Sequence, residues 1–421
     1  MKSKIFVQLA SYRDPQLVPT IEDMLSKARN PEMFTFGICW QYDDDEDHTV
    51  YDNNPNFRIN KFHYTQSKGL GWARNNTNTL YRGEEFTLQL DSHHRFAQDW
   101  DVMLLQDYYQ ALTMSEKPII STYCTPFDPY SDKPFNPVPS IMAQYEFSSD
   151  KLLMSMPFYI GDYKERTKVI RNRTISGHFY FVKGEFIQEV PYDPEIYFGG
   201  YTEETTLSLR AFTHGYDFYC PYRPYIWHEY TRSYRKKHWD DHGVKTEEKH
   251  YVTKTSGERD VLSRNRTRQL FGQEEHGFEF GIYGLGNKRT IRDYEIFGGF
   301  DFKKCRIHEY TLQGKEPPNA EPWDEGFPKP EYKITCNWDI EVLMKDAGKS
   351  DIDFIALGVE GGGETLARID FIPKEHPNVF NYALSTYTFK FSSDIKPVGW
   401  VLYPHLSNGE WGTRQEGKVS L

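Results

Sequence analysis

The chain has 421 residues, enough for one large core or two domains, and its 16% aromatic content excludes an intrinsically disordered polypeptide. The net charge of −11 argues against a nucleic-acid partner, because binding to a phosphate backbone requires clustered Lys and Arg. The five cysteines are widely scattered and include no C-x-x-C pair, so the sequence predicts neither a disulfide framework nor a zinc ribbon.

The N-terminal residues lead directly into an apolar strand pattern and contain no apolar leader region. No run of 18 apolar residues follows later in the chain, as a membrane-spanning helix would require. We therefore expect a cytoplasmic protein without a membrane anchor.

The first 120 residues alternate between strand patterns and helix patterns. This β-α-β order predicts a mainly parallel sheet covered by helices, in which ligands bind beyond the carboxyl ends of the strands. The predicted strands are Ile5–Ala10, Phe34–Tyr42, Phe57–Tyr64, Glu85–Leu90 and Ile119–Tyr123, and the predicted helices begin near Leu17 and span Leu70–Leu80 and Trp100–Met114.

The middle of the chain is less regular. Prolines crowd between Thr125 and Ser140 and predict an extended loop, which in a compact domain is usually functional. Further strands are predicted at His178–Val182, Asp217–Cys220 and Tyr225–Glu229, with a helix at Glu203–His214 and a mobile or surface-exposed stretch from Thr231 to Arg268.

Prolines gather again between residues 317 and 331, and we interpret this stretch as a linker. The sequence therefore predicts an α/β domain over residues 1–316 and a smaller all-β, sandwich-like domain over residues 332–421. The strands predicted in the second domain are Tyr332–Asn337, Phe354–Val359, Leu366–Ile372, Thr386–Phe391 and Gly399–Tyr403.

The triplet Asp91-Ser92-His93 directly follows one of the predicted strands. A carboxylate and an imidazole two residues apart at a strand end face the same way. Together they can coordinate one divalent cation and leave coordination positions free for the oxygens of a ligand. A strand that ends in Asp-Ser is also typical of a simple turn or helix cap, so the triplet alone leaves both interpretations open.

Several short motifs follow one another along the chain and form one ordered pattern. They are Ala10-Ser-Tyr-Arg-Asp-Pro15, Gly71-Trp-Ala-Arg-Asn75, Leu88-Gln-Leu-Asp-Ser-His93, Pro191-Tyr-Asp-Pro194, Glu203-Glu204, Leu209-Arg-Ala-Phe-Thr-His-Gly215, and His228 with Arg232. Over roughly residues 4–315 they resemble the GT-A glycosyltransferases typified by the cytosolic UDP-GlcNAc:hydroxyproline polypeptide N-acetylglucosaminyltransferase of protists. The D-x-H motif with a later histidine is more distantly similar to the mucin-type polypeptide GalNAc-transferases. The resemblance implies a GT-A fold, a Rossmann-like α/β domain with a mainly parallel sheet.

The resemblance also implies a metal-dependent site. Its ligands would be Asp91, His93 and His228, and two nitrogens with one carboxylate suit Mn²⁺ better than Mg²⁺. A lone histidine in an aromatic strand is more often a packed core residue, so the role of His228 depends on the family.

The resemblance implies that a UDP-sugar donor binds between several segments of the chain. The implied donor-binding residues are Ser11, Tyr12, Arg13, Arg74, Asp91, Ser92, Tyr234 and Arg235. Tyr12 would stack on uracil, Arg74 would pair with a phosphate or fix Asp91, and the segment after His228 would close over the diphosphate. As bare sequence, these residues also suit a capping turn, a loop-to-helix junction and a solvated basic loop.

Glu203, Glu204 and Arg232 are the implied catalytic residues. The acidic pair begins a predicted helix, where carboxylates are common because they favour the helix dipole. In relatives such a pair contacts donor-sugar hydroxyls or the acceptor. The segment Phe198-Gly-Gly-Tyr-Thr-Glu-Glu204 is longer than the expected Phe-Gly-Glu-Glu, which leaves open which carboxylate faces the sugar. Arg232 would neutralise the leaving group.

The implied function is transfer of a sugar, GlcNAc in the typical member, from a UDP-sugar to a hydroxyl of a protein (hydroxyproline, Ser or Thr) or of a glycan, with retention of configuration. Two alternatives stay open. One is a polysaccharide-building transferase that uses another UDP-sugar, and the other is a non-catalytic protein that binds sugar nucleotides or glycans. No motif indicates the oligomeric state.

Overall fold

The structure is a computed structural model that describes residues 4–131, 133–134, 138–197, 201–319, 323 and 326–419. The chain divides into two compact units, Met1–Phe327 and Pro328–Leu421. Each unit has a hydrophobic core of its own. In the part of the chain that the structure describes, no helix combines the length and apolar character needed to cross a membrane.

The larger unit alternates strands and helices along the chain. Its strands are β1 (Ile5–Tyr12), β2 (Phe34–Tyr42), β3 (Phe57–His63), β4 (Phe86–Asp91), β5 (His94–Phe96), β6 (Pro118–Ser121), β7 (Thr125–Asp128), β8 (Lys133–Pro134), β9 (Ser140–Phe147), β10 (Leu153–Tyr159), β11 (Ile170–Arg171), β12 (Phe179–Lys183), β13 (Asp217–Cys220), β14 (Ile226–His228), β15 (Phe300–Asp301) and β16 (Arg306–Ile307). Its helices are α1 (Leu17–Lys27), α2 (Leu70–Asn78), α3 (Trp100–Leu112), α4 (Phe186–Glu189), α5 (Glu203–Thr213), α6 (His238–His242), α7 (Ser256–Leu270), α8 (Ile291–Gly298) and α9 (Glu309–Leu312).

An eight-stranded sheet forms the centre of this unit, in the order β11-β13-β6-β12-β4-β1-β2-β3. Strands β4, β1, β2 and β3 run parallel, and β6 and β13 are parallel to each other. Strand β12 is antiparallel to both of its neighbours, β4 and β6. The predicted α/β class with a mainly parallel sheet is therefore confirmed. Both faces of β1 and β4 are buried; β1 is a near-continuous apolar run, whereas β4 alternates apolar residues with Thr87 and Gln89.

The register of the sheet gathers polar residues at one edge. Tyr12 of β1 lies opposite Gln41 of β2, and Ala10 lies opposite Asp91 of β4, so the three strands end together. Strand β5 then pairs antiparallel with β14 in a second small sheet, with His94 opposite His228. This pairing brings the end of β14 beside the segment that follows Asp91.

Two stretches of the larger unit differ from the sequence prediction. The polar stretch from Thr231 to Arg268, predicted to be mobile or surface-exposed, contains α6 and most of α7. Helix α7 forms because Thr255 and Glu258 cap its N-terminus and because buried Arg266 pairs with Asp193 at 2.7 Å. The proline-rich loop contains strands β7 and β8, while residues 132 and 135–137 lie outside the described residues.

The smaller unit is rich in strands. It contains β17 (Glu331–Asn337), β18 (Ile352–Gly361), β19 (Glu364–Phe371), β20 (Thr386–Ser392), β21 (Gly399–Leu406) and β22 (Gln415–Lys418), with helices α10 (Ile340–Ala347) and α11 (Pro377–Phe380). The strands form a two-stranded sheet, β17-β20, and a four-stranded sheet, β19-β18-β21-β22. The two helices were not expected in a domain predicted to be all-β. The predicted boundaries at residues 316 and 332 remain predictions.

Candidate active site

A cavity of about 450 Å³ lies where β1, β2 and β4 end. Three of its walls come from the turn after β4, from the N-terminus of α5 and from the segment that follows β14. Ten of the residues predicted for the site line it: Tyr12, Arg74, Asp91, Ser92, His93, Glu203, Glu204, His228, Arg232 and Arg235. Ser11, Arg13 and Tyr234 are not among its lining residues.

Asp91, His93 and His228 converge at the floor of the cavity. Each offers one ligand atom, and these atoms all lie within 4.8 Å of one another. One carboxylate oxygen of Asp91 lies 3.3 Å from Nε2 of His228 and 3.7 Å from Nε2 of His93. The D-x-H spacing on β4 and the pairing of β5 with β14 are what bring the three side chains together. The role of the three residues as metal ligands stays a prediction.

Asp14 fixes the imidazole of His93. Nδ1 of His93 donates to a carboxylate oxygen of Asp14 at 2.7 Å, and the hydroxyl of Ser92 donates to the same oxygen at 2.7 Å. Nε2 of His93 is buried and has no hydrogen-bond partner among the described residues. A carboxylate that holds one nitrogen and leaves the other lone pair free is the usual arrangement behind a metal-bound histidine. The residues present therefore fit a divalent cation.

The charge state of the cluster also suits a cation. Burial lowers the pKa of His228 well below its ordinary value, although the hydrogen bond to Asp91 opposes the shift. Burial alone would raise the pKa of Asp91, yet Arg74, His228 and His93 together hold it well below the usual range. At neutral pH the floor therefore combines an ionised carboxylate with neutral His228, and both are forms that bind metals.

Arg74 on α2 connects the two sides of the cavity floor. It is 1% exposed, and its guanidinium donates to Asp91 at 2.6 Å, to the hydroxyl of Tyr192 at 2.8 Å, and to Glu203. Burial disfavours its charge, but Glu203, Tyr192 and Asp91 outweigh burial and raise its pKa. Of the two predicted roles for Arg74, the geometry favours the one that fixes Asp91.

The family model described as Glycosyltransferase (GlcNAc) matches residues 4–54 and 46–304 of this chain. The chain belongs to this glycosyltransferase family. The match spans the whole cavity described above, and the central sheet is the mainly parallel α/β sheet that the sequence predicts. Activity towards hydroxyproline, as in the typical member, stays a prediction.

Solved structures similar to this glycosyltransferase are distant in sequence. GalNAc-T7 crystallised with UDP, GalNAc and Mn²⁺ is 14% identical, with a TM-score of 0.47; the match covers 64% of this chain but only 48% of that chain. TarS 1-349 of S. aureus is 14% identical over 63% of this chain and 72% of that chain, with a TM-score of 0.35. The structure of S. aureus TarS is 10% identical over 99% of this chain and 77% of that chain, with a TM-score of 0.36. No curated protein matches the chain.

The acidic pair of this glycosyltransferase divides into two different environments. Glu203 is 4% exposed and is held by Arg74. Glu204 accepts a hydrogen bond from the backbone N–H of Gly177 at 2.8 Å, and burial raises its pKa to about 7. The two glycines that precede the helix in the sequence motif, at positions 199 and 200, and Phe198 lie outside the described residues.

The segment after β14 turns back over the cavity because of Glu229. This buried carboxylate accepts from the backbone N–H groups of Thr231 and Arg232. Arg232 adopts a left-handed backbone conformation with φ of 52°, which is uncommon outside glycine and here turns the chain. Further along, Nε of Arg235 lies 3.4 Å from Asp14, and Arg232, Arg235 and Lys237 all line the cavity.

The segment after β1 is tied to α6. The hydroxyl of Tyr12 donates to Asp241 at 2.8 Å, and Arg13 donates to both oxygens of Asp241 at 2.9 and 2.8 Å. Arg13 also pairs with Asp43, so its guanidinium is engaged by carboxylates away from the cavity. Ser11 is buried, and its backbone carbonyl accepts from Gln41. The hydroxyl of Tyr234 lies 3.4 Å from Asp14.

Several cavity residues were not predicted from the sequence. His178, directly before β12, stacks on His228 with ring centroids 4.3 Å apart, and Tyr123 stacks on Tyr230 at 5.2 Å. Burial lowers the pKa of His178 well below its ordinary value, and the nearby His228 adds to the shift. These residues belong to separate strands and connections with no shared spacing, so no local pattern could have grouped them. His94 is fully buried, and its Nε2 lies 3.1 Å from the carbonyl oxygen of His178.

Gly69, directly before α2, and Gly71, in the first turn of α2, both approach protein backbone. A side chain at Gly69, whose φ is +117°, would lie 2.2 Å from the carbonyl oxygen of Tyr197. A side chain at Gly71 would lie 2.0 Å from the carbonyl oxygen of Ile196. Gly69 also lines the cavity. The close contacts of both glycines, however, are with the segment that precedes α5.

Proposed function

We propose that this chain is a divalent-metal-dependent glycosyltransferase that moves a sugar from a UDP-sugar to a hydroxyl acceptor. The observation that carries the proposal is the convergence of Asp91, His93 and His228 on one point of the cavity, with Nε2 of His93 left free by Asp14. The GlcNAc named in the description of the family supports UDP-GlcNAc as the donor. The ligand set of two imidazoles and one carboxylate supports Mn²⁺, or else Mg²⁺, as the cation.

In this proposal the side chains divide the work. Asp91, His93 and His228 hold the cation, which when bound would act as a Lewis acid on the diphosphate. Asp14 keeps His93 in the required tautomer, and Arg74 keeps Asp91 pointed at the same place. Arg232 and Arg235 add positive charge on the side of the cavity where the chain turns back, which stabilises a leaving diphosphate.

Glu204 is the carboxyl group that we assign to the sugar or the acceptor. Glu203 is paired with Arg74, whereas the partners of Glu204 among the described residues are a backbone N–H and the hydroxyl of Ser176. With a pKa of about 7, Glu204 can hold a proton for a hydrogen bond to a sugar hydroxyl. The acceptor hydroxyl would attack C1 from the face that UDP leaves, its proton would pass to the departing phosphate, and configuration would be retained.

Isothermal titration calorimetry tests the donor site. UDP and UDP-GlcNAc are titrated with Mn²⁺ and with EDTA into wild type, His93→Ala and the matched control His276→Ala, which changes a histidine that does not line the cavity. We expect binding that requires Mn²⁺ in wild type and the control and that falls at least about tenfold in His93→Ala. Binding indifferent to metal and to His93→Ala would refute the assignment of the ligands.

Turnover is tested separately by proton NMR of UDP-GlcNAc hydrolysis. Wild type should release GlcNAc first as the α anomer, as retention requires, and Asp91→Asn should abolish release. A β product would refute retention. UDP binding without any release, with or without hydroxyl acceptors, would favour the non-catalytic alternative.

A further inference from the structure

The four-stranded sheet of the smaller unit carries an aromatic cluster on the face turned away from its core. Residues of β18 and β21 alternate, so that Ile355 and Leu402 are buried while Phe354, Tyr403 and His405 lie on the outer face. Trp411 follows β21 and packs against all three outer rings. We call Phe354, Tyr403, His405 and Trp411 the Trp411 cluster.

The cluster holds Trp411 in a fixed position while leaving it accessible. Its ring stacks on Tyr403 at 4.8 Å and meets Phe354 and His405 edge-on at 5.7 and 5.0 Å. Phe354 and His405 also stack on each other with ring centroids 5.0 Å apart, and this contact holds the two rings that Trp411 meets edge-on. Even so, 46% of Trp411 remains exposed. A rigid, exposed indole is ready to bind a ligand because little conformational entropy would be lost on contact.

Ion pairs frame the cluster and leave no excess of positive charge at its edge. On β19, the guanidinium of Arg368 donates to both oxygens of Asp370 at 2.8 and 3.2 Å. Near β22, Arg414 lies 3.2 Å from Glu416 and 4.0 Å from Glu360. Two arginines are thus paired with three carboxylates. This pattern does not complement a polyanion, but it supplies fixed donors and acceptors for a neutral, hydroxylated ligand.

The register of the sheet leaves room between the aromatic rings and one of these ion pairs. Ala356 of β18 lies directly between Tyr403 of β21 and Asp370 of β19. Two strand spacings, about 9.5 Å, separate these flanking residues. Because the side chain of Ala356 is a single methyl group, the surface between them forms a shallow depression. A ligand that stacks on the Trp411 cluster can therefore also reach the Arg368–Asp370 pair.

A second copy of the chain would fit this face poorly. A stable protein interface buries about 800 Å² on each partner, whereas one large aromatic side chain offers about 150–250 Å². A sugar ring, in contrast, has a face of C–H groups that suits the negative face of an indole, and hydroxyls at its rim that suit paired charges. We propose that the Trp411 cluster, with Arg368, Asp370 and Arg414, forms a binding site for a neutral glycan. This site is separate from the proposed donor site.

Titration of the full chain with neutral oligosaccharides tests the site. The probes are chitohexaose, cellohexaose and mannohexaose, with a heparin fragment as an anionic comparison. The variants are Trp411→Ala and Trp411→Phe, with two controls: Tyr109→Ala, which removes an aromatic residue of similar exposure (48%) from α3, and Asp91→Asn in the cavity. We expect at least one neutral probe to bind, with affinity at least about tenfold lower in Trp411→Ala and intermediate in Trp411→Phe.

Both controls should bind that probe as wild type does, and Trp411→Ala should keep wild-type affinity for UDP. This last measurement separates failure at the glycan site from failure of the donor site. The proposal is overturned if no neutral probe binds, if Trp411→Ala leaves binding unchanged, or if heparin is preferred. Loss of self-association in Trp411→Ala without any change in glycan binding would likewise overturn it, in favour of a second copy.

Discussion

The floor of the cavity and the face of the Trp411 cluster use similar side chains in opposite surroundings. Both combine imidazole or aromatic rings with arginine–carboxylate pairs, but the side chain of Arg74 is 1% exposed and that of Arg414 is 52% exposed. A buried charge that loses its partner costs several kcal/mol, about 3–5, whereas an exposed pair contributes about 1 kcal/mol at most. The same chemical pair is therefore essential to the fold in one region and replaceable in the other.

The largest expected effect breaks the buried side of this comparison. Arg74→Met leaves Asp91 and Glu203 without their shared cation, and we expect a loss of about 3–5 kcal/mol in the free energy of unfolding. Urea denaturation measures the loss. Arg74→Lys keeps the charge but not the planar guanidinium, so it should recover only part of the lost stability. It is the variant to measure if Arg74→Met does not fold. A loss below about 1 kcal/mol for Arg74→Met would show that the network is not essential.

A pH-dependent effect follows from Glu204. Burial raises the folded-state pKa of Glu204 from 4.5 to about 7. The contribution of protonated Glu204 to the free energy of unfolding is therefore fully present below about pH 4.5 and is lost as the pH rises through 7. Glu204→Gln cannot ionise, so its stability relative to wild type should increase by up to about 3 kcal/mol across that window. Urea denaturation at several pH values measures the difference. A stability difference between Glu204→Gln and wild type that does not change with pH would contradict the burial argument.

A smaller effect concerns the residue behind the cavity floor. Asp14→Asn keeps an oxygen near Nδ1 of His93 but removes the charge that orients the ring. We expect the affinity for Mn²⁺, measured by calorimetry, to fall about 10- to 100-fold. Asp353→Asn in the smaller unit is the control and should bind as wild type does. Unchanged affinity in Asp14→Asn would place the cation elsewhere.

The smallest expected effect sharpens the exposed side. Arg414→Met removes an ion pair that water largely screens, and the free energy of unfolding should change by less than about 1 kcal/mol. The same urea titrations measure it alongside Arg74→Met. A loss as large as that of Arg74→Met would erase the distinction between the two regions.

The sequence predicted the fold well where one physical signal dominated. The apolar runs of β1 and β2 are buried on both faces, so their hydrophobicity alone marks them. Helix α7 was missed because its inward side chains are polar, and Arg266 is buried only by virtue of Asp193, which is distant in sequence. The β9–β10 hairpin was missed because the preceding prolines dominated the local pattern.

The site was predictable to a similar degree. The triplet around Asp91 has a spacing that places two ligands on one side, and a family resemblance pointed to His228. The partnership of Asp14 with His93, of Arg74 with Glu203, and of His178 with His228 depends on separate elements meeting in space. No spacing along the chain records such contacts, so they became visible only in the folded structure.

Burial of the cavity floor also decides whether two of the proposed ligands carry a proton. A cation that binds protonated ligands must expel their protons, and its heat of binding then varies with the buffer that takes them up. Here the pKa of His228 and that of Asp91 are both held well below their ordinary ranges. Neither residue should therefore add a buffer-dependent part to the heat of Mn²⁺ uptake at neutral pH. For these two residues, the deprotonation that an arriving cation would otherwise have to drive is completed when the chain folds.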